Sequence, residues 1–215
     1  EQGFSQFHAA AGGVVTGNDG ESVIGVVGNS RDENHTFIYL TKHFTDRKLP
    51  VPHILAVDDD ELRYLQTDLG STSLFDVLRG GRESGGRYNM REKQLLTAVI
   101  RELPNIQIRG ARGLDWDVCY PQPEFDVDSV LFDLNYFKYC FLKATELEFH
   151  ELKLEANFRL FAKDLTSEKS ESFLYRDFQA RNVMLDHAGK PYFIDYQGGR
   201  KGPYYYDVAS FLWQA

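Results

Sequence analysis

Phe173-Leu174-Tyr175-Arg176-Asp177-Phe178-Gln179-Ala180-Arg181-Asn182-Val183-Met184-Leu185, followed by Pro191-Tyr192-Phe193-Ile194-Asp195-Tyr196-Gln197-Gly198-Gly199, is the stretch on which the fold turns. Its apolar runs at 183–185 and 192–194 flank Asp186-His187-Ala188-Gly189-Lys190, a turn-forming linker, and so predict a β-hairpin. Asn182 stands just before the first strand and Asp195 just after the second. Antiparallel pairing brings both to one end, and Asp177, on the preceding loop, reaches that end too.

Two carboxylates and an amide meeting at one point suit phosphoryl transfer. That reaction needs a carboxylate to accept or orient the proton of the attacking hydroxyl, and oxygen ligands to hold Mg²⁺ against nucleotide phosphates. Asp177 is then the candidate base, Asn182 a carbonyl ligand to the metal, and Asp195 the carboxylate that bridges metal and phosphates. Arg176 or Arg181 is a candidate for neutralising nearby charge. Read singly, Asp177 is also a turn residue that caps local amides, and Asn182 an Asx-turn before a strand.

Upstream of this stretch the pattern divides near residue 70. Val14-Val15-Thr16 and residues 22–27 are β-branched runs around Gly17-Asn18-Asp19-Gly20, which predicts a hairpin. Phe37, Leu40, Thr41 and Phe44 fall at helical spacing, and Pro50 and Pro52 close that segment before strands at 53–57 and 62–69. Beyond residue 70 a short helix near 74–78 leads into the Gly- and Arg-rich run 79–87, expected to be a flexible polar loop. A helix from Met90 to Leu103 should end at Pro104. A second, capped by Asp128 or Ser129, should run through Leu142, and a third, from about Glu146 to Leu165, is apolar enough to predict burial within a helical lobe.

The composition is that of a globular protein: 42 % hydrophobic residues and 26 % charged, with a formal charge of −8. That acidity disfavours a broad nucleic-acid surface, so no nucleic-acid partner is expected. No stretch approaches the ~20 apolar residues of a membrane span, and the start, Glu1-Gln2-Gly3-Phe4, lacks the regions of a signal peptide, which predicts a cytoplasmic protein without a membrane partner. Cys119 and Cys140 make no disulfide framework, though one bridge between them remains open. The six histidines include no pair at metal spacing on one predicted helix, so no zinc site is expected. Without an initiator Met, and stopping within an apolar helix, the chain reads as a fragment; its oligomeric state is left open.

Tyr175-Arg176-Asp177 through Asn182, Ile194-Asp195-Tyr196-Gln197 and Gly202-Pro203-Tyr204-Tyr205-Tyr206-Asp207-Val208-Ala209-Ser210 together resemble the protein-kinase-like small-molecule kinases. That family includes aminoglycoside phosphotransferases and choline kinases. The subgroup the sequence looks closest to is the N-acetylmuramate/N-acetylglucosamine 1-kinases. The resemblance implies an α+β, two-lobe fold, truncated here: a small antiparallel β lobe with the hinge at 1–70 and a mainly helical lobe at 71–215. It implies an enzyme using ATP and Mg²⁺ to phosphorylate a hydroxyl of a small polar acceptor, a sugar or amino sugar being preferred. Leu65-Gln66-Thr67-Asp68-Leu69-Gly70 looks like the family's hinge, so Gln66, Thr67, Asp68 and Leu69 become the nucleotide-binding candidates.

Asp207 reads locally as a helix N-cap, whereas the resemblance implies that it braces the catalytic loop. Tyr175 replaces the usual His of that loop, the strand 23–27 carries no phosphate-binding Lys or Arg, and Gly12-Gly13 is only a weak candidate for a glycine-rich loop and reads more simply as a turn. Arg31 or Lys42 is then a candidate phosphate cation, and Glu33 reads as an acid at a helix start. These departures motivate the alternative of a non-catalytic, nucleotide-binding regulatory module. Protein-kinase activity is disfavoured, since no Ala-Pro-Glu segment follows Asp195. Trp116, with Asp115 and Asp117, reads as a loop anchor rather than an acceptor wall, and Tyr204-Tyr205-Tyr206 as packing rather than substrate contact.

Overall fold

A computed structural model of the chain describes residues 11–16 and 22–214. The predicted turn at 17–20 lies outside the described residues, but the strands it joins are present. β1 (Ala11–Thr16), which contains Gly12 and Gly13, pairs antiparallel with β2 (Ser22–Val27). The two glycines are therefore strand residues and not a turn. With β3 (Ile54–Val57) and β4 (Arg63–Thr67) they form an antiparallel sheet of order β1-β2-β4-β3.

Helix α1 (Arg31–Asp46) follows β2. The Ser30 hydroxyl caps it by accepting from the Glu33 N–H, and Asp32 and Glu33 place negative charge at its positive end. Its buried face carries Phe37, Leu40, Thr41 and Phe44. Phe37 stacks between Tyr64 of β4 at 5.5 Å and Tyr196 at 5.2 Å, and Phe44 meets Phe173 edge-on at 5.1 Å. Burying each such ring is worth about 2–3 kcal/mol. One continuous core thus runs from Val26 and Tyr64, through α1, to Phe193 and Phe211.

The second half is mainly helical. α2 (Leu74–Val77) is followed directly by α3 (Arg79–Glu83), which corrects the first part of the loop expected at 79–87, while residues 84–87 are turn and loop. The cause is Glu92, buried at the start of α4 (Met90–Pro104). One of its carboxylate oxygens accepts from the Asn89 N–H at 2.7 Å, completing a capping box, and the other accepts from the Gly81 N–H at 3.0 Å. Arg82 then lies over the Phe75 ring, 3.4 Å from its centroid. Nor does Pro104 end the helical path: a wider π turn, 105–109, continues it.

α5 (Val127–Phe137) is capped by Asp126, not by Asp128 or Ser129; Asp126 Oδ1 accepts from the Ser129 N–H at 2.9 Å. It passes into a π turn at 138–142. α6 (Glu151–Leu165) starts later than predicted and packs on α5 through Ala162 and Leu165, with Phe158 also buried. Leu152, Leu160 and Phe161 are exposed, against expectation, because a helix apolar on several sides needs several partners and α5 covers one side. The chain continues through β5 (Phe173–Leu174), the hairpin β6 (Val183–Leu185) and β7 (Pro191–Phe193), then β8 (Arg200–Lys201), which pairs with β5, and α7 (Tyr205–Gln214). The two cysteines are free, Cys119 buried and Cys140 exposed.

Candidate active site

The hairpin register pairs Val183 with Phe193, so Asn182 and Ile194 lie at one end, closed by an Ile194 N–H to Asn182 carbonyl hydrogen bond of 3.1 Å. From there the Asn182 side-chain amide donates to the Asp177 carbonyl at 2.8 Å and to Asp195 Oδ2 at 3.1 Å. The three candidates from the sequence are thus joined through one amide. The Gln197 amide donates to Asp195 Oδ1 at 2.8 Å, so both oxygens of the exposed Asp195 carboxylate are oriented.

The loop is held from beneath by side chains far away in sequence. Asp207, buried as the third residue of α7, accepts from the Tyr175 N–H at 2.9 Å, the Arg176 N–H at 3.0 Å and the Gln107 amide at 2.7 Å. It braces the loop and is not an N-cap. Gln107 sits in the π turn after α4 and also donates to the Tyr204 carbonyl. Tyr175 is fully buried, its hydroxyl donating to the Ile194 carbonyl and its ring edge-on to Tyr196, whose hydroxyl lies 2.6 Å from Thr41 Oγ1. The Tyr at this position therefore ties the loop to the end of the hairpin. Arg176 forms a two-pronged pair with Asp133 of α5, at 2.8 and 2.7 Å, and donates to the Tyr206 hydroxyl at 2.7 Å. Its charge is met by Asp133, while Arg181 is exposed beside Phe75.

Arg176 (φ 80°) and Asp195 (φ 67°) both occupy the left-handed region, which costs a non-glycine residue about 1 kcal/mol or more. Strain flanks both carboxylates and is held by the surrounding hydrogen bonds. Burial, and then the charge of Asp195, raise the proton affinity of Asp177; Arg176, a Gln179 hydrogen bond and Arg200 oppose the shift. Asp207 is pushed up to about 6 by burial, against the three N–H donors that favour its ionised form.

Among the described residues no hydrogen bond joins the hinge candidates to this cluster. β4 ends at Thr67, whose N–H donates to the His53 carbonyl and whose Oγ1 accepts from the His53 N–H. Asp68 Oδ1 accepts from Gly70, and the Gln66 Oε1 atom is buried with no hydrogen-bond partner. The segment after the hinge meets the hairpin directly: the Leu185 N–H donates to the Thr72 carbonyl at 2.9 Å. Arg31 lies 3.8 Å from Glu61, and Lys42 is exposed on α1. Trp116 packs against the core in a turn where the Asp115 N–H donates to the Tyr39 hydroxyl. Of the three tyrosines, Tyr206 meets Arg176, the Tyr205 hydroxyl donates to the Leu165 carbonyl, and Tyr204 is exposed.

Sequence reasoning missed Asp133, which contacts the loop across 43 residues, and Gln107, which contacts its brace Asp207 across 100; neither carries a local signal. Gln197 stood in the quoted motif without a role, and its position two residues after Asp195 was the available clue.

Asn182 uses its N–H₂ group twice, which leaves Oδ1 as the oxygen open to a metal beside the Asp195 carboxylate. Among the described residues no group of three His, Cys, Asp or Glu makes a protein cage. One carboxylate and one amide oxygen fit Mg²⁺, which keeps several waters and takes phosphate oxygens.

A four-stranded antiparallel sheet and one helix, joined to a helical half carrying a hairpin-borne Asp/Asn/Asp cluster, define a protein-kinase-like α+β fold. Residues 27–215 match the phosphotransferase enzyme family, APH, and the chain belongs to that family. It is 28 % identical over 202 residues to an N-acetylmuramate/N-acetylglucosamine kinase of Neisseria meningitidis; the match covers 92 % of this chain and 56 % of that protein, so the chain spans little more than half the relative's length. Among solved structures it is similar to a choline kinase from Streptococcus pneumoniae (TM-score 0.62, 12 % identity, 94 % of this chain and 64 % of that one). It is also similar to an aminoglycoside phosphotransferase in ternary complex with ADP and hygromycin B (TM-score 0.56, 14 % identity, 93 % of this chain and 70 % of that one). No helix among the described residues is long and apolar enough to cross a membrane.

Proposed function

We propose that the protein containing this chain is a small-molecule kinase that transfers the γ-phosphoryl group of ATP to a hydroxyl of a small polar acceptor, with Mg²⁺ required. The observation that carries the proposal is the Asn182 amide, which ties the Asp177 backbone to the Asp195 carboxylate and leaves one amide oxygen beside that carboxylate. Asp177 is the base: its raised proton affinity suits it to take the acceptor's proton as the phosphoryl group arrives. Asn182 and Asp195 hold Mg²⁺, which, when bound, neutralises phosphate charge. Gln66, Thr67, Asp68 and Leu69 supply the edge against which the adenine lies, between lobes 1–70 and 71–215. Arg176, fixed by Asp133, keeps the loop in place without spending its charge on the phosphates.

The likeness to an N-acetylmuramate/N-acetylglucosamine kinase supports a sugar or amino-sugar acceptor. An ATP-dependent reaction on such a metabolite supports a cytoplasmic site of action.

The test incubates the full-length protein with Mg²⁺ and γ-labelled ATP against amino sugars, neutral sugars, aminoglycosides and choline, with Asp177→Ala in parallel. Label in one acceptor, lost in the variant, supports the reading and names the acceptor class. Strand β2, which has no Lys or Arg to reach a phosphate, favours a second reading as a nucleotide-binding regulatory module. Nucleotide binding with no transfer to any acceptor would favour that second reading.

A further inference from the structure

After Asp195 the chain forms a strap, Gln197-Gly198-Gly199, which bonds to one carboxylate and runs beside the other. Gln197 donates to Asp195 Oδ1. Gly198 packs beside the base: a methyl group added there would lie 3.7 Å from Asp177 Oδ2 and 3.8 Å from Arg176 Cγ. Gly199 is pressed onto the core, where an added methyl would come within 2.1 Å of the Phe173 ring, and its N–H donates to the Tyr196 carbonyl at 2.9 Å. The strap ends at Arg200, whose residue is only 6 % exposed.

Arg200 is used unusually. Its Nε and one terminal nitrogen both donate to a single acceptor, the Gly198 carbonyl, at 3.1 and 3.0 Å. Among the described residues no carboxylate lies within ion-pair distance of it, in contrast to Arg176, which is paired with Asp133. Burying a guanidinium without a carboxylate is costly, and gripping one carbonyl does not by itself require a charge. What the grip achieves is local: it fixes the carbonyl of Gly198, the residue packed beside the base.

We propose that Arg200 is a positioning residue for phosphoryl transfer. By gripping the Gly198 carbonyl it holds the 197–199 strap against Asp177 and Asp195. Because it is buried and acts through the strap, its loss should slow turnover and leave substrate binding intact. The inference rests on the phosphotransfer reading given above.

The test compares full-length wild type, Arg200→Met and Arg200→Lys. In steady-state kinetics, Arg200→Met should lower kcat about tenfold or more while KM for Mg·ATP and for the acceptor stays within about twofold, the pattern of a contribution made only as the reaction proceeds. Arg200→Lys keeps the charge but meets the carbonyl with one donor, and should fall between the two. In nucleotide-free protein, hydrogen–deuterium exchange of the amides at 197–200 should speed up in Arg200→Met, with β6 and β7 unchanged.

Wild-type kcat in Arg200→Met, or a loss confined to KM, overturns the proposal; so does faster exchange spread evenly over the chain. If Arg200→Met lacks a cooperative unfolding transition, Arg200→Lys decides, and wild-type kcat in that variant overturns the positioning role. Wild-type protein that transfers no label to any acceptor defeats the phosphotransfer reading instead, and the kinetic role with it. The exchange comparison then decides whether Arg200 clamps the strap.

Discussion

Asp133 and Arg176 meet through two parallel hydrogen bonds of 2.8 and 2.7 Å, joining helix α5 to the loop that carries Asp177. The pair is bidentate and Arg176 is mostly buried, so removing one partner strands the other. Asp133→Ala should destabilise the protein by about 1–2 kcal/mol, a figure set below that of a fully buried pair because Asp133 is more than a third exposed. Urea unfolding monitored by tryptophan fluorescence measures it. Turnover should fall with it, since the backbone of Arg176 leads directly into Asp177.

Asp177→Asn keeps the shape of the side chain and removes its ability to take a proton. Transfer should fall about 10²–10⁴-fold with the circular dichroism spectrum unchanged. An active Asp177→Asn protein would refute the role proposed for this residue.

Asp195→Ala deletes the carboxylate whose two oxygens are set by Asn182 and Gln197. Mg²⁺-dependent nucleotide affinity should drop by about tenfold or more, since a metal site with two protein ligands loses one of them. Titration calorimetry with ADP, with and without Mg²⁺, separates this from any change in base recognition; equal loss in both conditions would contradict the metal role.

Asp207→Ala leaves the N–H groups of Tyr175 and Arg176 and the Gln107 amide without their acceptor. Each unsatisfied buried donor costs about 1–3 kcal/mol, so a total loss of about 3 kcal/mol or more is expected from thermal or urea unfolding. The effect should far exceed that of losing a helix N-cap, about 1 kcal/mol, which is how the two views of this residue are told apart.

His43 is buried on α1, its Nε2 2.7 Å from the Gly110 carbonyl, and burial lowers its proton affinity below the ordinary value of 6.5. As pH falls below that value the unfolded chain takes up a proton that the folded state resists. The contribution of His43 to stability is therefore complete above 6.5 and is lost progressively below it. Unfolding free energies at pH of about 7.5 and about 5 should differ less in His43→Gln than in wild type.

The convergence of Asp177, Asn182 and Asp195 was legible because a hairpin converts sequence order into spatial order: residues flanking paired strands must meet. The hairpins, α1 and the capped α4 were legible for the same kind of reason, since period, caps and turn residues act over a few positions. The Arg79–Arg87 run was misread because its order comes from Glu92, whose carboxylate reaches back to Gly81. The face of α6 was misread because burial depends on how many neighbours a helix has, which its own pattern does not encode.

By itself the chain determined which residues meet at the end of the hairpin, because residue types and their spacing along one hairpin are local properties. Only the tertiary structure decided what holds that site in place. Asp133, Gln107 and Asp207 act on the loop through contacts that exist once α4, α5 and α7 are packed together. Hydrogen bonds between residues 43 or 100 positions apart leave no periodic trace in sequence. They follow from burial, which forces each polar group in the core to find whichever partner the fold brings within reach.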